Sequence, residues 1–343
     1  MLKIDGSMKS GSGTILRLSL ALASIMGEEL YIFNIRKKRS KPGLRPQHLE
    51  SVLTAARITN AEVKGARVGS QELRFKPRTI RGGSYVAEIG TAGSIPMLFM
   101  SILPICLFAD KPVKVTVRKG GTDTRHAPTI NFMRFVFLPI LKLMGVNARI
   151  TIKRYGYYPI GLGEATLEVE PVKKLKPLKL GERGRFLGIK GYSVCTFLKD
   201  RRVADRQASA AKKVLGSKGY SADIEVVYDF SNPRQKGSSI VLWAEYSSGA
   251  KLGSDSIGEI GKTSEKVGSE AAEKLLLELE SGATVDIHLA DMLIPYIALA
   301  DPGSIYLTRE MTDHTDTNIW LVEEILGRKI RVGRKNGLYV IEA

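Results

Sequence analysis

Hydrophobic periodicity along the chain switches between the helical period of 3.6 residues and the strand period of two, and the order of the switches repeats. In the first copy, apolar residues at helical spacing over 14–25 stop at Gly27; a strand over 30–35, a polar loop over 36–46 and a helix from Gln47 follow. The second copy predicts a helix over 95–108, a turn at Asp110 and Lys111, an alternating strand over 113–117, a loop over 118–128 and another helix. The third predicts a helix over 289–299, a turn at Asp301-Pro302-Gly303, a strand over 304–307, a loop over 308–315 and a helix over 318–326. Strand-like runs over 72–75, 148–152 and 337–341 close the copies. The expected fold is α/β (α+β): three repeated units of two helices on a four-stranded sheet, set around a pseudo-threefold axis.

Spacing breaks between the second and third copies. Residues 184–277 predict a strand over 188–197, a helix over 203–214 and strands over 224–228 and 239–246, which reads as a small inserted α+β domain. Its flanks, Leu175-Lys176-Pro177-Leu178 and Glu280-Ser281-Gly282, read as linkers. The expected organisation is therefore 1–183 for the first two units, 184–277 for the insert and 278–343 for the third unit. The loops over 36–46, 118–128 and 308–315 are equivalent by repeat and precede helix starts, where backbone N–H groups favour anions.

Charge adds a partner class. The chain of 343 residues carries 52 Lys and Arg against 35 Asp and Glu, a net +17, which attracts polyanions and makes nucleic acid the first partner to consider. The same balance also suits a heat-adapted surface, to which the presence of only Gln47, Gln71, Gln207 and Gln235 adds a hint. The hydrophobic share of 43% and charged share of 25% exclude a disordered chain. Cys106 and Cys195 sit in apolar runs without zinc-ligand spacing and read as buried thiols in a reducing compartment. The apolar stretch 95–109 is shorter than a membrane span and holds Pro96 and Pro104, so no membrane association is expected. The N-terminus opens on a strand-like MLKID rather than a signal peptide, and a cytoplasmic location is expected.

Several segments are candidates for chemistry, each with a plainer alternative. The loop Asp5-Gly6-Ser7-Met8-Lys9-Ser10-Gly11-Ser12-Gly13-Thr14 offers N–H groups to an anion, with Arg17 one turn further on; it also fits a simple strand-to-helix turn, and matches neither a P-loop nor a dinucleotide fingerprint. Six cations in ten residues, among them Arg36, Arg39 and Arg45, precede Gln47 and His48, a density that fits phosphate or RNA binding, or a solvated basic loop. Gly120-Gly121-Thr122-Asp123 forms a tight loop, and Arg125, His126 and Pro128 beside it offer polar and stacking contacts to a nucleotide. His314, between Asp313 and Asp316, reads as a metal ligand, a surface residue paired with Asp, or a nucleophile. Asp291, preceded by His288, is a carboxylate in an apolar helix, either satisfied by a buried partner or functional.

The blocks IDGS and GSGTILR, IRKKRSKPGLRPQHL, IGTAGS, GGTD, YGYYPIGLGE, HLADMLIP and DHTDTNI, in this order and nearly end to end, make the chain resemble the RNA 3′-terminal phosphate cyclases of archaeal type. The resemblance implies three βαβαββ-type units with a small inserted domain. It also implies an ATP-dependent reaction: a histidine matching His314 takes AMP from ATP, passes it to the 3′-phosphate of RNA, and the 2′-hydroxyl then closes a 2′,3′-cyclic phosphate and expels AMP. By motif, Arg17, Arg36 and Arg39 resemble the family's phosphate clamp, with Gln47, His48 and Arg45 alongside, and Asp291 orients the site. His288 stands where the family stacks an aromatic ring on adenine, and Pro128 would cover the other face. The family's opening EGGGQ is replaced by Ser10-Gly11-Ser12-Gly13-Thr14, so the metal-contacting Glu and the Gln are missing. A divalent ion, Mg2+ or Mn2+, is expected with ATP, held mainly by phosphates and water. Three rival readings are a catalytically silent cyclase-like protein of ribosome biogenesis, an enolpyruvyl transferase and a general RNA-binding module.

Overall fold

The computed structural model describes residues 1–343 as an α+β protein with four four-stranded sheets. The first contains β1 (Leu2–Asp5), β2 (Leu30–Phe33), β3 (Glu62–Lys64) and β4 (Leu73–Lys76), with α1 (Gly13–Met26) and α2 (Pro46–Thr59) connecting its strands. The second contains β5 (Gly83–Glu88), β6 (Val113–Gly120), β7 (Asn147–Arg154) and β8 (Gly163–Glu170). Here α3 (Ile95–Cys106) and a helical run divided by a wide turn, α4 (Ile130–Phe132) and α5 (Leu138–Leu143), make the connections. The chain then enters β9 (Lys179–Leu180) and leaves it for a third sheet of β10 (Phe186–Thr196), β11 (Ala222–Asp229), β12 (Gly237–Tyr246) and β13 (Lys251–Ile257), carrying α6 (Val203–Gly216) and α7 (Ser264–Ser281). It returns through α8 (Ile287–Leu299) to β14 (Ile305–Thr308), α9 (Asp313–Leu326), β15 (Arg331–Lys335) and β16 (Leu338–Glu342), and β14 pairs with β9 in the fourth sheet.

One pairing scheme recurs. In the first, second and fourth sheets the first strand runs parallel to the second, the second antiparallel to the fourth, and the fourth antiparallel to the third. The helices between these strands bury nearly continuous apolar faces: α3 hides Leu98, Phe99, Ile102 and Leu103, and α8 hides Leu289, Leu293, Ile294 and Ile297. No helix is long and apolar enough to cross a membrane.

Three element and linker expectations need correction. The sequence 251–281 yields β13 and α7, and Glu280-Ser281 is helix rather than linker, with Gly282 as its left-handed cap. Leu175-Lys176-Pro177-Leu178 is no free linker either: Leu175 and Leu178 are buried and lead directly into β9. In the third copy the last helix begins at Asp313, five residues earlier than expected, because Thr312 Oγ1 accepts from Thr315 N at 3.1 Å and caps it. His314 therefore sits on the first turn of α9, not in a loop.

The sheet of β10–β13 is pressed onto the rest at two close approaches. Gly253 of β13 lies against Phe132 and Val136, and its N–H donates to Asp286 Oδ2 at 2.8 Å, fixing β13 to the start of α8. Gly268 lets α7 meet α6: a methyl group there would stand 2.0 Å from the Gln207 carbonyl oxygen. Gly268→Ala is expected to destabilise the protein by about 1–3 kcal/mol through this overlap; thermal unfolding measures it, and an unchanged midpoint would refute the tight α6–α7 contact.

Candidate active site

A cleft of about 410 Å3 opens where the first turns of α1, α8 and α9 converge, and Pro128, just before α4, forms part of its wall. Thr14 and Arg17 come from α1, His288 and Asp291 from α8, His314 and Asn318 from α9. Met97, Met100, Pro104, Phe132, Phe137 and Tyr296 make the remainder of the lining largely apolar. Such a space suits a ligand with a flat apolar portion and an anionic end, since the helix N-termini supply partial positive charge beside Arg17.

The two ends of the chain are stitched together at this point. Thr14 Oγ1 lies 3.3 Å from His314 Nδ1, and Arg17 Nη2 donates to the same hydroxyl at 3.3 Å. Ser10 N donates to Thr317 Oγ1 at 3.2 Å, and Lys9 pairs with Asp316 at 2.9 Å. Ser10, Gly11, Ser12, Gly13 and Thr14 therefore do more than turn the chain; Ser10 and Thr14 dock the first turn of α9. Asn318 Nδ2 donates to the Asp291 carbonyl at 2.8 Å, tying α9 to α8. Its Oδ1 and the Tyr296 hydroxyl, both in the cleft wall, have no protein partner.

Charge in the cleft is set by enclosure. Burial lowers the His314 pKa, and Arg17 and Arg39 push the same way against Asp313, so the imidazole is neutral near pH 7. Arg17 is itself brought down to about 10, by burial and then Arg36, and stays charged. Burial raises the Asp291 carboxyl well above its usual range, with Asp286 adding to the effect and Arg17 opposing it. Asp286 caps α8 by accepting from His288 N at 3.0 Å and Leu289 N at 2.9 Å, yet burial still lifts it to about 7.

The residues singled out in the sequence divide into two groups. Arg17, Pro128, His288, Asp291 and His314 share the cleft; Arg36, Arg39, Arg45, Gln47 and His48 do not line it. Arg39 is exposed on the neighbouring basic loop. That loop packs on the opening loop through Lys38, whose Nζ donates to the Lys9 carbonyl at 3.1 Å. Arg36 braces the loop from within, donating through Nη1 to the carbonyls of Lys41 and Gly43, both at 2.8 Å. Gln47 Oε1 accepts from Ser94 N at 2.7 Å and anchors the IGTAGS segment. His48 is buried, its Nδ1 accepts from Arg45 N at 3.3 Å, and burial with Arg17, Arg36 and Arg45 drives its pKa to about 2, so the ring is uncharged and caps α2.

Asp255 and Lys274 also reach the cleft, from β13 and α7, with Lys274 Nζ donating to the Asp255 carbonyl at 3.0 Å and Asp255 Oδ2 accepting from Thr129 N at 2.7 Å. Sequence reading missed both. Their placement depends on how the third sheet docks, for which no local motif exists.

An α+β fold here gathers helix N-termini, a neutral imidazole and a buried guanidinium around an apolar-walled cleft. The comparisons give it a family. Residues 8–332 match the family model described as RNA 3′-terminal phosphate cyclase. The chain is 45% identical to the RNA 3′-terminal phosphate cyclase of Pyrobaculum aerophilum, over 99% of this chain and 97% of that one. It is 42% identical to the proteins of the same name from Methanosarcina barkeri, over 99% of each chain, and Methanothermobacter thermautotrophicus, over 100% and 99%. The chain belongs to the RNA 3′-terminal phosphate cyclase family. Among solved structures, the EPSP synthase of Acinetobacter baumannii is similar at a TM-score of 0.24 and 14% identity, covering 61% of this chain and 53% of that one, which is too weak to bear on fold or function.

Proposed function

We propose that this protein uses ATP to convert the 3′-terminal phosphate of RNA into a 2′,3′-cyclic phosphodiester, carrying AMP first on His314 and then on the RNA phosphate. The observation behind this reading is that His314, near the C-terminus, and Arg17, near the N-terminus, line one cleft and meet through Thr14. With Nδ1 engaged by Thr14, Nε2 of the neutral ring is the free nucleophile. It attacks the α-phosphorus of ATP, forming a P–N bond as the bond to pyrophosphate breaks. An oxygen of the RNA 3′-phosphate then attacks the AMP phosphorus and releases the imidazole. Last, the 2′-hydroxyl oxygen attacks the terminal RNA phosphorus, loses its proton and expels AMP.

Arg17 and Arg39 stabilise charge on the transferring phosphoryl group. His288 and Pro128 hold the adenine, and Asp291 orients the nucleotide. Mg2+ or Mn2+ would enter with the phosphates of ATP. Nowhere do three His, Cys, Asp or Glu side chains come together as a metal site, and Ser10, in the place of the family's Glu, shares a hydrogen bond of 3.0 Å with Ser12. No step here runs through a protein-bound metal. The three sheets of like pairing fit three units about a pseudo-threefold axis, with the β10–α7 segment inserted after β9. A catalytically silent role is less well supported, since it leaves the uncharged His314 beside Arg17 without a purpose.

Incubating the protein with ATP and an RNA oligonucleotide ending in a 3′-phosphate is expected to yield the cyclic phosphate. The product resists phosphatase, and a terminus still open to phosphatase would refute the reading. Because the nucleophile is neutral imidazole, formation of the AMP adduct should be complete above the His314 pKa and fall as pH drops through it. The depressed pKa puts that acid limb below the ordinary 6.5. Arg39→Ala removes one depressing cation and should move the limb upward, and a limb that stays put would demote Arg39 to a distant charge. Thr14→Val should slow adduct formation roughly tenfold by freeing the ring, while Thr14→Ser keeps it. Equal loss in both variants would deny Thr14 this hold.

A further inference from the structure

The segment Tyr155–Gly161 of the YGYYPIGLGE motif lies outside the cleft and has no part in the steps above, yet it is built as a rigid platform. Tyr155 N donates to Ser231 Oγ at 3.1 Å, Gly156 N to Thr122 Oγ1 at 3.0 Å, Tyr157 N to Gln235 Oε1 at 2.9 Å and Gly161 N to the Tyr157 carbonyl at 2.7 Å. The rings of Tyr155 and Tyr157 are buried, whereas Tyr158 is 78% exposed and Ile160 50% exposed. An exposed aromatic ring on a backbone fixed at four points presents a flat face whose placement is already set.

Its position is beside the cleft: Tyr157 pairs with Asp123, and His126, three residues further on, lines the cleft. On the other side Gly161 packs so tightly on the IGTAGS segment that a methyl group would stand 2.9 Å from Ala92 Cα, and Gly93 of that segment abuts the Gln47 side chain at the start of α2. The platform thus adjoins both the nucleotide wall and the end of the basic loop. Arg125 is neutralised by Glu259, but Arg234 and Lys236, which flank the Gln235 that grips Tyr157, are exposed and enter no ion pair. Aromatic faces beside unpaired cations are what single-stranded nucleic acid requires: the ring receives a base, the cations receive phosphates.

The geometry points to Tyr158 as a stacking platform for an unpaired base of the RNA strand just 5′ of the terminal phosphate, with Arg234 and Lys236 neutralising the adjoining backbone. This rests on RNA being the substrate, and it adds a requirement that the end be single-stranded where it passes Tyr158. The test is direct binding of a fluorescent single-stranded RNA with a 3′-phosphate, followed by anisotropy, alongside adduct formation from ATP without RNA. Tyr158→Ala should raise the Kd about tenfold, within the range one base-on-aromatic stack gives, and Tyr158→Trp should restore it. Replacing nucleotides one at a time by abasic residues should cost affinity at a single position in the native protein, and nothing further at that position in Tyr158→Ala. Adduct formation should be equal in all three proteins. An unchanged Kd in Tyr158→Ala, or a loss that Trp does not repair, overturns the platform. Failure of the native protein to form the adduct would count against the nucleotidyl chemistry alone, because the binding measurement does not depend on it.

Discussion

Arg17→Ala is expected to slow AMP transfer from ATP to the protein by about a thousandfold, the loss that follows removal of a preorganised donor from a developing phosphoryl charge. Arg17 is enclosed beside His314 and Asp291, and its guanidinium remains charged although burial brings it to about 10. Within that low-dielectric space its interaction with a transition-state oxygen is far stronger than in water. The same residue counteracts the upward push on Asp291, so its loss also raises that carboxyl further. Arg17→Lys should not rescue. An ammonium cannot present the planar fork that engages two phosphoryl oxygens, and burial would neutralise it more readily. The check is the rate of adduct formation at saturating ATP, with thermal unfolding as a control for folding. A loss below tenfold, or full rescue by Lys, would move the charge stabilisation elsewhere.

A DNA strand ending in a 3′-phosphate should accept AMP and stop there. Transfer of AMP needs only the terminal phosphate, which DNA has, but ring closure needs the 2′-hydroxyl, which it lacks. In RNA that hydroxyl is on the carbon next to the one that bears the activated phosphate, and intramolecular placement of this kind replaces about 7–11 kcal/mol of a bimolecular barrier. The adenylylated DNA should therefore accumulate, whereas adenylylated RNA should turn over to the cyclic end. Gel separation of labelled oligonucleotides distinguishes the two. A cyclised DNA end, or an RNA intermediate as long-lived as the DNA one, would remove the last step.

Local pattern and cleft geometry were legible in the sequence to different depths. The helices α1, α3 and α8 announce themselves by apolar spacing, and α1 also by Gly27, so their place came within a few residues. The start of α9 was missed, although Thr312 followed by Thr315 is a capping signal, because the acidic Asp313 and Asp316 read as loop. β13 was missed for a different reason: its Gly253, Ser254 and Ser256 are small and polar, chosen to let Phe132, Val136 and α7 approach, and such a strand lacks the β-branched alternation that marks one. From its neighbours alone His314 read as one of three things, since an imidazole between two carboxylates is ambiguous; the structure adds that its Nδ1 lies against Thr14. His48 looked like part of a basic cluster, and only the structure shows it buried, with its ring accepting from Arg45 N as a cap.

The departure at Ser10 and Thr14 from the family loop also takes on a meaning that composition could not supply. Both residues hold the first turn of α9, one through Thr317 and one through His314 itself. Thr14 does so through its hydroxyl and Ser10 through its backbone N–H, while the Ser10 hydroxyl pairs with Ser12.

The most direct measurement is to incubate native protein and His314→Ala with ATP labelled at the α-phosphate and look for label on the denatured chain. The account predicts a covalent AMP adduct on the native protein alone, stable in alkali and broken by acid as a P–N bond is. An unlabelled native protein, or an equal adduct in His314→Ala, would contradict it.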